Sequence, residues 1–545
     1  MFSTDDIQIK NINHLGLVAG IIDDIGLETI INEVIGEDPR ELITSGQVVK
    51  GMILNGLGII SQPLYLFPKF FEDKPTEHLL GKEIKAESLN DDQIGRVMDK
   101  LYEKGLSSIF LIIALSVVHN YHLLTNFSHL DSSSFSVHGK YLINNLISSK
   151  QDKEQEEEKS EEPVPITITK GYSRDHRPDL KQFIIDLIVS GDGGITLFLR
   201  VADGNEQDKV VFGEIAVEYK SMIDFETIIV ADSALYTAKN LQLMSSIKWL
   251  SRVPLSLGKA KELVDNVLEK ELTQSSIKGY SWKEELITYA DIKQRWLLLE
   301  SQKRKESDLT KLSERIEKEK EKADKDIKSL MKDKFNSMSA AMEVAHRFSK
   351  SLKYHQLTNI QVQKIEVKNK NKQIEIKYKV TTNLEINQDK VDEKKRRAGR
   401  FILATNELKE SVLSSDDILI KYKEQQSAER GFGFLKDPLF FADSVFLKSP
   451  KRVETMAMVM GLCLLVYSLG QRELRRRLKE AKTGLKNQLG KLTEKPTLRW
   501  IFQGFQGIHL LVQSGKKQVV NLTEERQNIL SFFPLSVQNY YILSG

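Results

Sequence analysis

The sequence predicts an α/β protein: a mixed sheet flanked by helices, with a helical region ahead of it and an α+β insertion within it. Three observations carry that expectation. The hydrophobic period changes from helical to alternating near residue 126. Two β-rich runs, "FIIDLIV" and "ITLFLR", close around the glycine turn "SGDGG". A fully apolar strand, Ile228 to Ala231, stops at Asp232 and gives way to a helical run.

Residues 1–122 read as helical. "SLNDDQIGRVMDKLYEKG" offers Asn90 as an N-cap, then Ile94, Val97, Met98 and Leu101 at helical spacing, then Gly105 as a stop. "LSSIFLIIALSVVHNYHLL" reads as a second, more buried helix. "HLDSSSFSVHG" then alternates, with Asp131, Ser133, Phe135 and Val137 on one side. The acidic run "QDKEQEEEKSEE" reads as a solvated loop. "VVFGEIAVEYKSMI" is a helix between the hairpin and the apolar strand.

Residues 250 to about 400 read as an insertion. "KRKESDLTKLSERIEKEKEKADKDIKSLM" sets Leu309, Leu312, Ile316, Ala323, Ile327 and Leu330 near a 3-4 repeat, which suits a long solvated helix or a helical hairpin arm. "IQVQKIEVKNKNKQIEIKYKV" alternates on both sides of "KNKNK", a hairpin signal. "FILATN" is a short strand. An apolar helix, a basic helix "RELRRRLKEAKTGLK" and a final hairpin "IHLLVQSGKKQVVNL" follow. There is no internal repeat. The expected organisation is 1–122 helical, 123–250 the first part of the core, 251–400 the insertion, 401–470 the second part of the core, and 471–545 a basic C-terminal region.

Lys and Arg number 79 against 76 Asp and Glu, for a net charge of +3, so any nucleic-acid surface must come from local clustering. The single cysteine, Cys463, excludes a disulfide framework or a thiolate zinc site within one chain. The first residues show no basic segment followed by an apolar run. "TMAMVMGLCLLVYSLG" is short for a membrane span and flanked by polar and basic residues, so it reads as a buried core helix. The expectation is a cytoplasmic protein with no membrane association.

Two carboxylates stand out. Asp131 lies in the first strand of the α/β unit and Asp232 at the C-terminal end of the buried one, where open α/β sheets collect ligands. A single aspartate there also serves as a helix cap. Two on neighbouring strands can converge on a hard divalent cation, which prefers carboxylate oxygens. The stretch "KYKEQQSAERGFGFLKDP" adds a third. Taking Tyr422 as zero on a helical wheel, Gln425 falls near 300°, Glu429 near 340° and Lys436 near 320°, at about 100° per residue. A phenol, an amide, a carboxylate and an ammonium on one face suit a metal ligand with phosphate contacts. They also suit an ordinary charged surface, and Gly431 and Gly433 weaken the helix past Glu429.

Asp131, Asp232 and Glu429, with a β-rich insertion before the glutamate, resemble the DDE transposases of bacterial insertion sequences. The resemblance is to a long-chain branch of the insertion-sequence-four superfamily. That superfamily's signature runs Tyr, two residues, Arg, three residues, Glu, six residues, Lys. Tyr422, Glu429 and Lys436 match it, and Gln425 stands where the superfamily has arginine. "HLDSSSFSVHG", "KGYSRDHRPDLKQ", "VADGNEQD", "VADSALYT", "LSRVP", "FILATN" and "AERGFGFLKDPLFFADSVFLKSPKRVE" resemble blocks of the same branch, in unbroken order.

The resemblance implies an RNase H-like core in which the three carboxylates hold two Mg²⁺ ions roughly 3.5–4 Å apart, with Mn²⁺ able to substitute. It implies cleavage at element ends and joining of 3′-hydroxyls to target DNA, without a covalent protein–DNA intermediate. Tyr422 and Lys436 would contact phosphates near the scissile bond, and Gln425 leaves one charge-assisted contact in doubt. Arg174, His176 and Arg177 form a second basic cluster, for DNA or as charged turn residues. Residues 471–500 hold ten Lys and Arg against three Glu, Arg475, Arg476 and Arg477 among them. That excess suits a DNA backbone or a solvated basic helix. The helical N-terminal domain would read terminal inverted repeats in double-stranded DNA, and pairing two ends favours a homodimer, with the 303–333 helix helping to dimerise or grip DNA. Two other readings stand beside this one: an RNase H-like nuclease without strand transfer, and a coiled-coil scaffold that leaves the three acids unexplained.

Overall fold

The computed structural model describes residues 7–59, 61–63, 66–137, 163–368, 374–437, 447–513 and 516–543. The acidic run at 151–162 and the tip of the "KNKNK" hairpin lie outside the described residues. The chain divides into two compact units, residues 1–250 with 420–545, and residues 251–419.

In the first unit the N-terminal region is mostly helical, as expected. Asn90 caps the helix Asp91–Lys104 by accepting the Gln93 N–H at 2.9 Å, and Gly105 ends it at φ 88°. Leu106–Asn120 follows, with Ile109, Phe110 and Ile113 buried. One element departs from the all-helical expectation. A short strand β1 (Ile7–Asn11) pairs antiparallel with His509–Gln513, which pairs in turn with Lys516–Val520 as the expected final hairpin. Five residues of "IQIKN" hold too little periodicity to announce a strand whose partner is remote. The last residues complete the same body. Val537 packs on the helix Leu15–Ile25 at Gly20, where an added Cβ would lie 2.4 Å from Val537 Cα. Tyr541 Oη donates to Asn13 O at 2.7 Å and accepts the Leu17 N–H at 3.1 Å.

The central strands are β2 (Phe127–Val137), β3 (Lys181–Ser190), β4 (Thr196–Ala202), β5 (Ile228–Ala231) and β6 (Lys248–Val253), ordered β4-β3-β2-β5-β6. β2, β3 and β4 form an antiparallel meander, and β5 joins the other side of β2 in parallel. This is the RNase H-like order. The helix Asp208–Ser221 covers one face, with Tyr219 against Phe198 and Ser128. Leu106–Asn120, Gln426–Leu435 and Pro450–Glu480 pack on the sheet as well, with Ser107 Oγ donating to Leu199 O and Gly431 lying over Leu187.

The apolar and basic helices expected after residue 450 are one helix, Pro450–Glu480. Gly470 does not stop it, because the glycine serves packing: a Cβ there would meet Ile21 Cδ1 at 2.5 Å. The helix ends at Glu480, so "AKTGLK" is not part of it. Its length and apolarity would suffice to cross a membrane, and 83% of its most apolar window is buried within the protein.

Glu454 on this helix accepts the Ile166 N–H at 2.8 Å, and burial pushes its carboxyl up to about 7, with Asp203 adding repulsion. A folded pKa above the unfolded value means that the associated stability is fully present below about 4.5 and lost as pH rises through about 7. Glu454→Gln keeps an acceptor for Ile166 and removes the buried charge. It is expected to raise stability at pH 8 by about 1–2 kcal/mol and to lose that advantage at pH 5, as read from melting curves at the two values.

In the second unit β7 (Thr273–Gln274), β8 (Tyr280–Tyr289), β9 (Ile292–Ser301) and β12 (Arg400–Thr405) line up antiparallel in the order β12-β9-β8-β7. The β8–β9 hairpin carries none of the usual glycine signal: Ala290 and Asp291 turn it at positive φ, 52° and 61°. Arg295, buried in this sheet, pairs with Glu284 at 2.7 Å and donates to Leu413 O at 2.6 Å. The long helix runs Gln302–Leu330. Its C-terminal end packs with Met338–Ser351 under the expected hairpin, β10 (His355–Lys368) and β11 (Ile374–Ile386), around Ile327, Leu330, Ala341, Ala345, Leu357 and Val380.

Candidate active site

Parallel pairing of β2 and β5 brings the two aspartates together. The register sets Leu130 opposite Ala231, so Asp131 follows on β2 and Asp232 directly after β5, with the neighbouring strands about 4.8 Å apart. Asp232 Oδ1 accepts the Ala234 N–H at 2.8 Å, which ties the turn after β5 to the carboxylate.

The stretch expected as one helix is two. Ser415–Glu424 and Gln426–Leu435 meet at Gln425, which keeps near-helical dihedrals of −54° and −23°. Such a break leaves no mark in the residue pattern. The second helix continues through Gly431 and Gly433, because Gly431 lies against Leu464 and Leu187. The break does not scatter the face. An open cavity of about 530 Å³ is lined by Asp131 and Asp232 from the sheet, Tyr422, Gln425 and Glu429 from the two helices, and Arg174 from the loop before β3.

Lys436 does not line the cavity. Its ammonium pairs with Asp175 at 2.7 Å and lies 5.1 Å above the Phe135 ring. His176 and Arg177 sit on an exposed turn, His176 at φ 56° and Arg177 paired with Asp179 at 2.8 Å. The arginine triplet also lies outside the cavity. Arg475 donates to Pro496 O, Arg476 pairs with Glu473 and Glu480, and Arg477 donates to Phe532 O. Two residues that the sequence reading did not single out belong to the site: Ser132 in the cavity wall and Asp208 behind it. Ser132 Oγ donates to Asp208 at 2.7 Å, and Asp208 pairs with Arg174. The sequence signal for Asp208 was its place at the end of "VADGNEQD".

Burial pushes the Asp131 carboxyl up to about 7; Arg174 and the Ser132 N–H oppose that, and Asp232 and Asp208 add to it. The two aspartates set hard oxygen donors side by side, which fits a divalent cation. Among the described residues, no three His, Cys, Asp or Glu side chains are already drawn together as a metal cage. Glu429 shares the cavity with the aspartates without closing on them.

Residues 125–467, well over half the chain and all three carboxylates, match the family described as Transposase DDE domain. The chain belongs to the DDE transposases. Residues 7–115 of the transposase match a family described as Domain of unknown function (DUF4277), which covers most of its helical N-terminal region. No curated protein matches the chain. Among solved structures, a piggyBac transposase synaptic complex with hairpin DNA, determined by cryo-EM, is similar at a TM-score of 0.35 and 10% identity, covering 97% of this chain and 88% of that one. As a DDE transposase the protein is an enzyme of DNA cleavage and strand transfer, in a family that uses divalent metal ions.

Proposed function

We propose that this transposase cuts the ends of an insertion sequence and joins them to target DNA at Asp131, Asp232 and Glu429, with Mg²⁺ as the cation and Mn²⁺ able to replace it. The observation that carries the proposal is the parallel register that sets Asp131 beside Asp232, facing the cavity that Glu429 also lines. Asp131, Asp232 and Glu429 would hold the cation, which would supply Lewis acidity toward the attacking and leaving oxygens. The chain does the rest. Tyr422 and Gln425 present a phenol and an amide to the phosphate from the helical wall, and Arg174 offers a guanidinium from the loop before β3. Lys436, oriented by Asp175 and Phe135, serves the DNA backbone outside the cavity.

The helical N-terminal domain, 1–122, is proposed to recognise terminal repeats in double-stranded DNA. The core, 123–250 with 401–470, carries the chemistry. The insertion, 251–400, and the basic region, 471–545, grip DNA or join two copies into the homodimer that pairs both ends. His176 belongs to that DNA surface as well, and Arg177, Arg475, Arg476 and Arg477 join it only after giving up their present partners. That exchange lowers the affinity each can add.

An in vitro assay on DNA carrying the native flanking repeats, with Mg²⁺, tests the reading. The expected products are free 3′-hydroxyl ends and their joined form in target DNA. Cleavage that never proceeds to joining would assign a nuclease instead. In the same assay Gln425→Arg is expected to hold strand transfer or raise it about two- to fivefold, through one added charge-assisted phosphate contact. A large loss would give Gln425 a role of its own at the break between the helices.

A further inference from the structure

Arg174 stands between two sets of acids. Its Nη2 donates to Ser132 Oγ at 3.0 Å and to Asp208, while its Nη1 lies 3.7 Å from Asp131 Oδ1, beyond hydrogen-bond distance. A guanidinium cannot be neutralised by losing a proton at any physiological pH. Left to itself beside a half-buried aspartate, it closes on the carboxylate as a bidentate pair and takes the oxygens that a metal needs. Only geometry can prevent that.

We propose that Asp208 is a positioning residue that holds the Arg174 guanidinium off Asp131. The Asp131 carboxylate then stays available to a divalent cation, and Arg174 still faces the cavity to meet a DNA phosphate. This rests on the assignment of Asp131 and Asp232 as metal ligands.

The surroundings fix Asp208 in that role. It opens the helix Asp208–Ser221, with Glu206 just ahead of it bound by Arg200, which also holds Asp186 at 2.8 Å. Ser132 is paired with Asp186 in the β2–β3 register, so Ser132, Asp186 and Asp208 gather on the sheet face opposite Asp131. The loop leading into Asp208 and the loop carrying Arg174 are locked backbone to backbone. A Cβ on Gly171 would lie 2.0 Å from Gly204 O, and one on Gly204 would lie 2.0 Å from Gln182 O. Gln182 Nε2 clips both loops, donating to Gly204 O at 2.6 Å and to Tyr172 O at 3.2 Å. The blocks "KGYSRDHRPDLKQ" and "VADGNEQD" thus act as one clamp whose working end is the Arg174–Asp208 pair.

Mn²⁺ binding to the purified full-length chain, followed by electron paramagnetic resonance, tests this without reference to catalysis. Asp208→Asn frees Arg174 and is expected to weaken Mn²⁺ binding about tenfold. Adding Arg174→Gln to Asp208→Asn is expected to bring the affinity back to within about twofold of Arg174→Gln alone. Unchanged or tighter binding by Asp208→Asn overturns the inference. So does a double variant as weak as Asp208→Asn, since Asp208 would then act through its own charge or through the fold. Asp131→Asn serves as the reference. If it removes Mn²⁺ binding and Asp208→Asn does nothing, the positioning role alone fails. If Mn²⁺ binding ignores Asp131→Asn, the metal assignment fails and this role with it.

Discussion

Alanine at Asp131, Asp232 or Glu429 is expected to lower cleavage of end-bearing DNA by at least about 10³-fold while leaving DNA binding within about threefold of wild type. The split follows from what each group touches. Two of the three lie on adjacent strands and one on the helix across the cavity, where each contributes oxygens to a small volume. DNA affinity comes from many phosphate contacts spread over a large surface, and no single carboxylate carries it. Stability should move the opposite way from activity at one of the sites. Burial and two neighbouring acids hold the Asp131 carboxyl up at about 7, so its charged form costs the fold at neutral pH. Asp131→Asn should therefore melt no lower than wild type at pH 8 while failing to cleave. Near-normal cleavage by any of the three alanine variants would sink the assignment, as would a loss of binding as deep as the loss of cleavage.

Ending the chain at Ser531 is expected to destabilise the first unit by about 5 kcal/mol or more. The deletion removes Phe533, Val537 and Tyr541, all buried, and uncovers the helix Leu15–Ile25 along the face that Gly20 opens to Val537. It also strips Asn13 O and the Leu17 N–H of their hydrogen bonds to the Tyr541 phenol. Buried Lys50 loses the Tyr540 hydroxyl and keeps Asp23 at 2.5 Å and Glu28 at 4.0 Å. Thermal unfolding and hydrogen exchange in the 15–56 region report the result. A truncated chain that melts with the full one, and protects those amides equally, would show that the tail merely rests on the surface.

The sequence makes some of this architecture readable and hides the rest for physical reasons. Asp131 is visible because it sits in an alternating strand, Asp232 because it stands where an apolar strand stops, and Glu429 because three neighbours repeat at helical angles. The break at Gln425 is invisible, since its dihedrals stay helical and no proline or glycine marks it. Lys436 shares the angular face of Glu429 yet leaves the cavity, because Asp175 and the Phe135 ring draw it aside. Asp208 escapes notice for a different reason. Its bonds to Ser132 and Arg174 span 76 and 34 positions, and periodicity is blind beyond its own element. The arginines at 475–477 look like a positive face in the sequence, but Arg476 is held by Glu473 and Glu480, about one helical turn to either side, and Arg475 and Arg477 donate to backbone carbonyls.

Strand β1 has a consequence for how the protein comes into being. Asn11 and its partner His509 stand 498 positions apart. At about 5–20 residues per second, a ribosome makes β1 and then needs roughly 25–100 s to deliver the strand it pairs with. Through that interval the end-binding region proposed here is an unfinished body with an open strand edge. The helix Leu15–Ile25 waits too, for Val537 and Tyr541. In a nascent chain β1 therefore stays without its partner strand until His509–Gln513 has been made.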